Sequence, residues 1–363
     1  MSFFLESIYF DLPNYLFVLI FTISSSMYFN VPKGICIVLM LSSATPFFLN
    51  GVLFSPEYMP DQYGYWDTVS KIRTFDFDEI VTFTTVLNAS YIFSIIPMPF
   101  ALTVSSLGFF NKFLYVSLFM FLWHKRVFTN FSIFFYLLYP SLVVYSSLSL
   151  RDFMITSFMI VSFVYFIERK YLLAFSFSSI LIFIKFQNLI LISIVFAMYF
   201  YFFCLPLRRQ IALLVVLPII YFILYSNFIG DINYYRAVMY FEDGGVRGVD
   251  AISGPFNFVF ELIAGSVYFL LKPLPGEASN LFQLIQSLEG IFLFVVILYL
   301  LFSALILEKR TRVFLFWMAY IIITLGVYSL VVFNFGTAAR YKFPFVLVFV
   351  VFICFDLKKM EVK

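Results

Sequence analysis

The chain has 363 residues, of which 63% are hydrophobic and only 12% charged, with a mean hydropathy of +1.01 and a formal net charge of +3. A soluble domain carries about 25% charged residues, so a water-soluble fold is excluded. A transmembrane β-barrel is excluded too, because it would alternate in segments of about 10 residues and this chain runs in continuous Phe/Leu/Ile/Val stretches. The expected fold is all-α: a polytopic integral membrane protein forming one membrane domain over residues 1–363. The charge is scattered over loops and leaves no nucleic-acid footprint.

In chain order, residues 15–27 and 35–54 read as two spans joined by Val31-Pro32-Lys33-Gly34. The acidic start, with Glu6 and Asp11 and no basic region, argues against a cleavable signal peptide. A polar stretch, 55–80, follows. From there to His124 two helices can be drawn, 89–107 and 109–123, the first broken by Pro97 and Pro99. If both span, 55–80 is cytoplasmic. If the broken one is re-entrant, 55–80 is extracytoplasmic, which is the favoured placement.

The remaining runs are punctuated by basic clusters: His124-Lys125-Arg126, Glu168-Arg169-Lys170, Arg208-Arg209, Glu308 to Arg312, and Lys358-Lys359. Placed inside by the positive-inside rule, they order spans at 128–146, 153–167, 171–184, 188–204, 211–228, 291–307, 313–333 and 345–355, with a cytoplasmic C-terminus. The total is about 11 spans (10 to 12), several of them short for a core of ~30 Å. Residues 230–289 form a large extracytoplasmic loop bent by Gly244-Gly245 and Gly248. Its apolar stretch 256–271 ends at Lys272-Pro273-Leu274-Pro275 and reads as an interfacial or re-entrant helix.

Cys36, Cys204 and Cys354 lie in or beside apolar runs without a CxxC pair, and the one histidine, His124, sits in a basic cluster. These residues read as structural, and neither a metal site nor a cofactor is expected.

The other cations stand alone in apolar settings, where charge is expensive and points to function. Arg151 ends the Pro/Ser-rich stretch 139–152. Arg340, followed by Tyr341, sits in a small-residue turn expected over 334–343 ahead of a Pro-started helix. Lys185 lies between two apolar half-runs, and Lys272, Arg236 and Arg247 belong to the large loop. Together they suggest an outward-facing site for a multiply charged anion such as pyrophosphate, with Arg forks on phosphoryl oxygens and Lys as point charge. Interfacial snorkelling is the alternative for any single Arg. Asp61, in the first polar loop, and Asp250, in the large one, are candidates for the general base that an acceptor hydroxyl needs.

Residues 139–152 (P…YSS…LRD), 334–344 (NxGTAxRYxxP), and Lys272-Pro273-Leu274-Pro275 with Ser287-Leu288-Glu289 resemble bacterial O-antigen and exopolysaccharide repeat-unit polymerases of the Wzy type. Asp61-Gln62-Tyr63-Gly64-Tyr65 is similar to the acidic, Tyr-containing loop of the wider GT-C membrane glycosyltransferases. The resemblance implies an inner-membrane polymerase that joins undecaprenyl-pyrophosphate-linked oligosaccharides on the periplasmic face, with a chain-length regulator as a further partner. It does not separate a polymerase from a single-sugar transferase. A flippase should show internal repeats and midplane charges, and neither is visible.

Overall fold

The computed structural model describes residues 3–54, 59–80, 82–242, 249–307 and 310–359. Arg247, the glycines 244, 245 and 248, Glu308 and Lys309 lie outside the described residues. Among those described there is no β-strand. Among the described residues six helices are long and apolar enough to cross a membrane, or up to seven if one bent pair counts as a span, and four shorter apolar helices accompany them. The described residues thus have the make-up of a multi-pass membrane protein; several of the apolar runs expected as spans fold as broken or short helices, and the long helices alone do not confirm the expected 11. The chain divides into two compact units, Met1–Ile192 and Ser193–Lys363.

The first unit contains α1 (Phe3–Tyr28), α2 (Lys33–Ser43), α3 (Pro46–Leu49), α4 (Asp61–Thr74), α5 (Thr84–Ile95), α6 (Ser106–His124), α7 (Asn130–Leu138), α8 (Pro140–Tyr145), α9 (Asp152–Ile167) and α10 (Tyr171–Ile184). The span expected over 35–54 is split into α2 and α3 at Ala44-Thr45-Pro46, and that over 128–146 into α7 and α8 at Tyr139-Pro140, where proline withholds a helix donor. The expected polar loop 55–80 is mostly α4, whose Gln62, Tyr65, Thr68, Val69 and Ile72 are buried. The break at Pro97 and Pro99 is present: α5 stops at Ile95, and α6 begins only at Ser106.

Such breaks strand backbone carbonyls where lipid offers no hydrogen bonds, and side chains from neighbouring helices take them up. Arg73 of α4 donates to Met98 O (2.9 Å) and Ile96 O (2.8 Å). Trp66 donates to Ala101 O (3.0 Å), and Asn14 both donates to Phe100 O and accepts from Phe100 N. Asp11 is fully buried on α1. One of its oxygens accepts from Ser7 and Thr103, the other from Asn14 and Ser106, at 2.5–3.1 Å. A carboxylate with all four acceptor sites filled, set at the first turn of α6, also meets the positive end of that helix.

The boundary between the units falls within α11 (Phe186–Tyr199). The second unit continues through a π-helical turn, Phe200–Cys204, into α12 (Leu207–Glu242), α13 (Pro255–Leu271), α14 (Leu281–Phe302), α15 (Thr311–Ser329) and α16 (Phe335–Lys359). α12 is bent by 51° between its halves Leu207–Ile223 and Tyr225–Glu242, so residues 230–242, expected as loop, are helical. α14 starts ten residues before the expected span, and α16 absorbs the expected turn 334–343.

The most buried element is α16, with 83% of its span window inside the protein. Its far end is tied to α15 by Trp317 Nε1 donating to Asp356 (2.9 Å) and by Arg310 donating to Leu357 O (2.5 Å). α13 and α15 run in direct contact at two glycines. A Cβ on Gly326 would lie 2.7 Å from Leu262 O, and one on Gly265 would lie 2.3 Å from Ser329 Oγ.

Gly326→Ala should destabilise the protein by ~1–3 kcal/mol through overpacking against backbone, read as a lower melting temperature in detergent. Gly230→Ala on α12, where nothing lies within 4 Å, should be neutral or slightly stabilising; equal melting points for both variants would refute the close-packed α13–α15 seam. For orientation, the exposed Ser279 and Thr311 flank opposite ends of the α14 segment. In a chain freed of Cys36, Cys204 and Cys354, Ser279→Cys should react with an impermeant thiol reagent added outside, and Thr311→Cys should not. The reverse pattern would invert the expected topology.

Candidate functional site

The Pro/Ser-rich stretch 139–152 is an interruption of helix docked on α6. Gly108 admits it: a Cβ there would lie 2.2 Å from Ser147 O. Asn111 donates to Leu148 O (2.7 Å) and Leu150 O (2.8 Å). Lys112, fully buried, donates to Ser42 Oγ (3.0 Å), Ser146 Oγ (3.0 Å) and Val143 O (3.4 Å) and packs 4.6 Å over the Tyr115 ring. Three neutral acceptors thus meet the three donors of one ammonium. From α4, Gln62 accepts from Ser149 N (3.0 Å) and pairs with Asn50.

Arg151 emerges from this clamped segment partly exposed. It donates to Thr85 O (3.0 Å) and lies 5.9 Å from the centroid of the Tyr65 ring. Asp61, exposed at the first turn of α4, is one helical turn from Tyr65. Asp61 and Arg151, 90 residues apart in sequence, therefore belong to one packed corner of the first unit. Lys185, partly exposed, lies at the junction of α10 and α11, away from the clamped segment in sequence.

In the second unit the stretch 334–344 is the start of α16. Asn334 Oδ1 accepts from Gly336 N (2.8 Å) and Thr337 N (3.2 Å), an N-cap that sequence reasoning took for a turn. Ala338 and Ala339 are buried, and so is Lys342, while Arg340 and Tyr341 stay partly exposed.

Lys342 donates to Leu270 O (3.0 Å) and Lys272 O (2.9 Å) at the end of α13, and Lys272 donates to Phe333 O (2.5 Å) just past α15. Each lysine caps the carbonyl end of a helix, where a cation is favoured by the dipole. The ammonium of Lys272, expected to meet an anion, is engaged with backbone. Buried Glu289 on α14 is close enough for its charge to act on Lys342.

The same unit holds a polar cavity of about 410 Å³ whose lining includes Arg236, Tyr240, Asp250, Asn257, Phe260 and Glu261. The size suits a small-molecule site. Arg236 comes from the second half of α12, Asp250 from the connection, and Asn257, Phe260 and Glu261 from consecutive turns of α13. The connection is fixed by Asn233, which donates to Ile252 O (3.2 Å) and accepts from Ile252 N (2.9 Å). Tyr221, donating to Pro255 O (2.5 Å), holds the start of α13.

The Nε and Nη1 atoms of Arg236 are buried without a hydrogen-bond partner, and the Glu261 charge acts on this guanidinium. Arg236 and Asp250, picked separately from the sequence, meet here. Glu261 was missed, although it is the one acid in the apolar stretch 256–271. Among the described residues no group of His, Cys, Asp and Glu is arranged to hold a metal ion.

Comparison with protein families, with characterised proteins and with solved structures gives no match for this chain. The functional conclusion therefore rests on geometry and on the motifs.

Lys342→Met should cost stability, because two buried carbonyls lose their donor at about 1–3 kcal/mol each. Arg340→Met, partly exposed on the same helix, should leave the melting temperature nearly unchanged. Equal melting temperatures for wild type and Lys342→Met would remove the capping role.

Proposed function

We propose that this protein polymerises lipid-linked glycan repeat units on the extracytoplasmic face of a bacterial inner membrane, joining undecaprenyl-pyrophosphate-linked oligosaccharides as O-antigen polymerases of the Wzy type do. The observation that carries the reading is the cavity in which Arg236 and Asp250 converge with Glu261. In an otherwise apolar helical protein it is a built polar site, of a size for sugars and with carboxylates for proton transfer. Polymerisation needs an acceptor hydroxyl oxygen to bond to the anomeric carbon of the donor sugar. The bond from that carbon to the pyrophosphate oxygen breaks, the hydroxyl proton passes to a carboxylate, and undecaprenyl pyrophosphate leaves. Asp250 or Glu261 would take the proton, and no metal or nucleotide sugar is required by this balance.

For the leaving pyrophosphate the arginine we assign in the second unit is Arg340, partly exposed on α16 and held by the capped backbone around it. Arg151 plays the corresponding part for the first unit in this proposal. A chain-length regulator is the expected protein partner.

The test is a deletion strain scored on a lipopolysaccharide gel. Loss of the protein should leave lipid A–core carrying a single repeat unit. Loss of every O-unit would replace the proposal with a single-sugar GT-C transferase or a flippase. In the complemented strain Arg340→Lys should impair chain growth although charge is kept, because an ammonium does not reproduce a bidentate guanidinium. Arg340→Ala should cost about 10- to 150-fold if one charge-assisted hydrogen bond is expressed in the transition state. Arg312→Ala, exposed at the start of α15, should polymerise normally at equal protein level.

A further inference from the structure

We propose that the Arg236 cavity is a subsite for an uncharged, polyhydroxylated sugar ring of the glycan and not for pyrophosphate. The inference rests on the function proposed above and reassigns Arg236 within it.

Among the described residues lining the cavity, one guanidinium faces two carboxylates, Asp250 and Glu261, leaving the wall net negative by one. A pyrophosphate carries several negative charges of its own and would enter against that field. Sites for phosphoryl groups gather cations and backbone N–H donors without competing carboxylates. Among the described residues of this lining, no second cation offsets the acids.

A sugar hydroxyl both donates and accepts. It can donate to the Asp250 or Glu261 carboxylate while accepting from the guanidinium, and a pair of adjacent hydroxyls can do both at once. The Nε and Nη1 of Arg236 are buried without an acceptor from the protein, a costly arrangement that a hydroxyl oxygen would relieve. Asn257, with an acceptor oxygen and a donor nitrogen, suits the same ligand. Its amide already donates to Ser253 O at 2.7 Å, four residues back and just before the start of α13, so its side chain is oriented in advance. Tyr240 and Phe260 supply apolar surface for the C–H face of a ring.

Asn257 and Glu261 are four residues apart on α13 and so share a face. α13 packs against α15 at Gly265 and Gly326, and the pair of hydrogen bonds between Asn233 and Ile252 holds the remaining wall. Donors and acceptors are therefore fixed before the ligand arrives, which reduces the entropy cost of binding.

The test uses the full-length protein in lipid nanodiscs, with saturation-transfer NMR against a panel of galactose, mannose, rhamnose and N-acetylglucosamine, and with inorganic pyrophosphate as competitor. At least one sugar should give a signal that pyrophosphate leaves unchanged. Asn257→Ala and Glu261→Gln should each weaken its binding about tenfold or more. Binding of inorganic pyrophosphate, followed by phosphorus NMR, should be the same in wild type and Arg236→Ala. It should acquire a component dependent on Arg236 in the Asp250→Asn/Glu261→Gln double variant, once the acids are neutral.

A sugar signal abolished by pyrophosphate, pyrophosphate binding to the wild type that Arg236→Ala removes, or no signal from any sugar of the panel would each overturn the assignment. The readout needs no polymerisation. If the deletion strain refutes the polymerase while sugar binding holds, the cavity stands as a sugar site of another transferase or a carrier. If the strain supports a polymerase while sugar binding fails, the acceptor site lies elsewhere in the chain.

Discussion

Lipid offers no hydrogen bonds, and this chain breaks its helices often. Every interruption exposes carbonyls and amides that must find partners inside the protein. The breaks at 44–46, 96–105, 139–140, 146–151 and 272–275 would be untenable alone. Polar side chains on neighbouring helices make them stable: Arg73, Trp66 and Asn14 at the proline-rich break after α5, Asn111 and Lys112 at the end of α8, and Lys342 at the end of α13. The few charged residues of the apolar helices are thus largely spent on backbone. Removing one would leave buried carbonyls unpaired, a larger loss than the hydrogen bonds themselves contribute.

The same constraint explains what could be read from the sequence. Apolar runs bounded by basic clusters located α9 and α10 to within a residue, and Pro97 and Pro99 located the break before α6. The stretch 334–343 misled because Gly and Pro suggest a turn, yet Asn334 supplies a cap and Ala338-Ala339 favour helix. Residues 230–242 misled because a cluster of charges resembles solvated loop, and the hydrogen bonds that tie Asn233 to Ile252 leave no periodic trace in the sequence.

Asp11, Lys112 and Lys342 went unremarked as functional or structural centres. A single charge inside an apolar run carries no periodic signal, and its partners lie as far as 95 residues away. For Asp11 a local hint existed, since Ser7 and Asn14 sit on its own helix face. For Glu261 the hint was its isolation among apolar neighbours. What sequence alone could not supply was the grouping: that Asp250 belongs with Arg236, and Asp61 with the corner that carries Arg151.

The two units solve one problem in parallel ways. In each, the most buried long helix, α6 or α16, carries a buried lysine whose ammonium reaches the carbonyls of an adjacent interruption. In each, a partly exposed arginine stands nearby in the chain: Arg151 just after the segment held by Lys112 and Asn111, Arg340 two residues before Lys342. The division of labour follows from side-chain chemistry. A compact ammonium with three rotatable donors suits oxygens that converge from different directions, whereas a planar guanidinium presents a fork to a ligand in one plane. In the proposed function, lysine inside and arginine at the edge would let one element be both held and functional: the backbone carrying the guanidinium is fixed, so little ordering entropy would remain to be lost when the pyrophosphate arrives. A lysine in the place of Arg340 would keep the charge yet forfeit the fork, and an arginine in the place of Lys342 would bring a bulkier head to the buried carbonyls of Leu270 and Lys272. On the proposed function, the conservative exchange is therefore expected to be damaging in both directions, for opposite reasons.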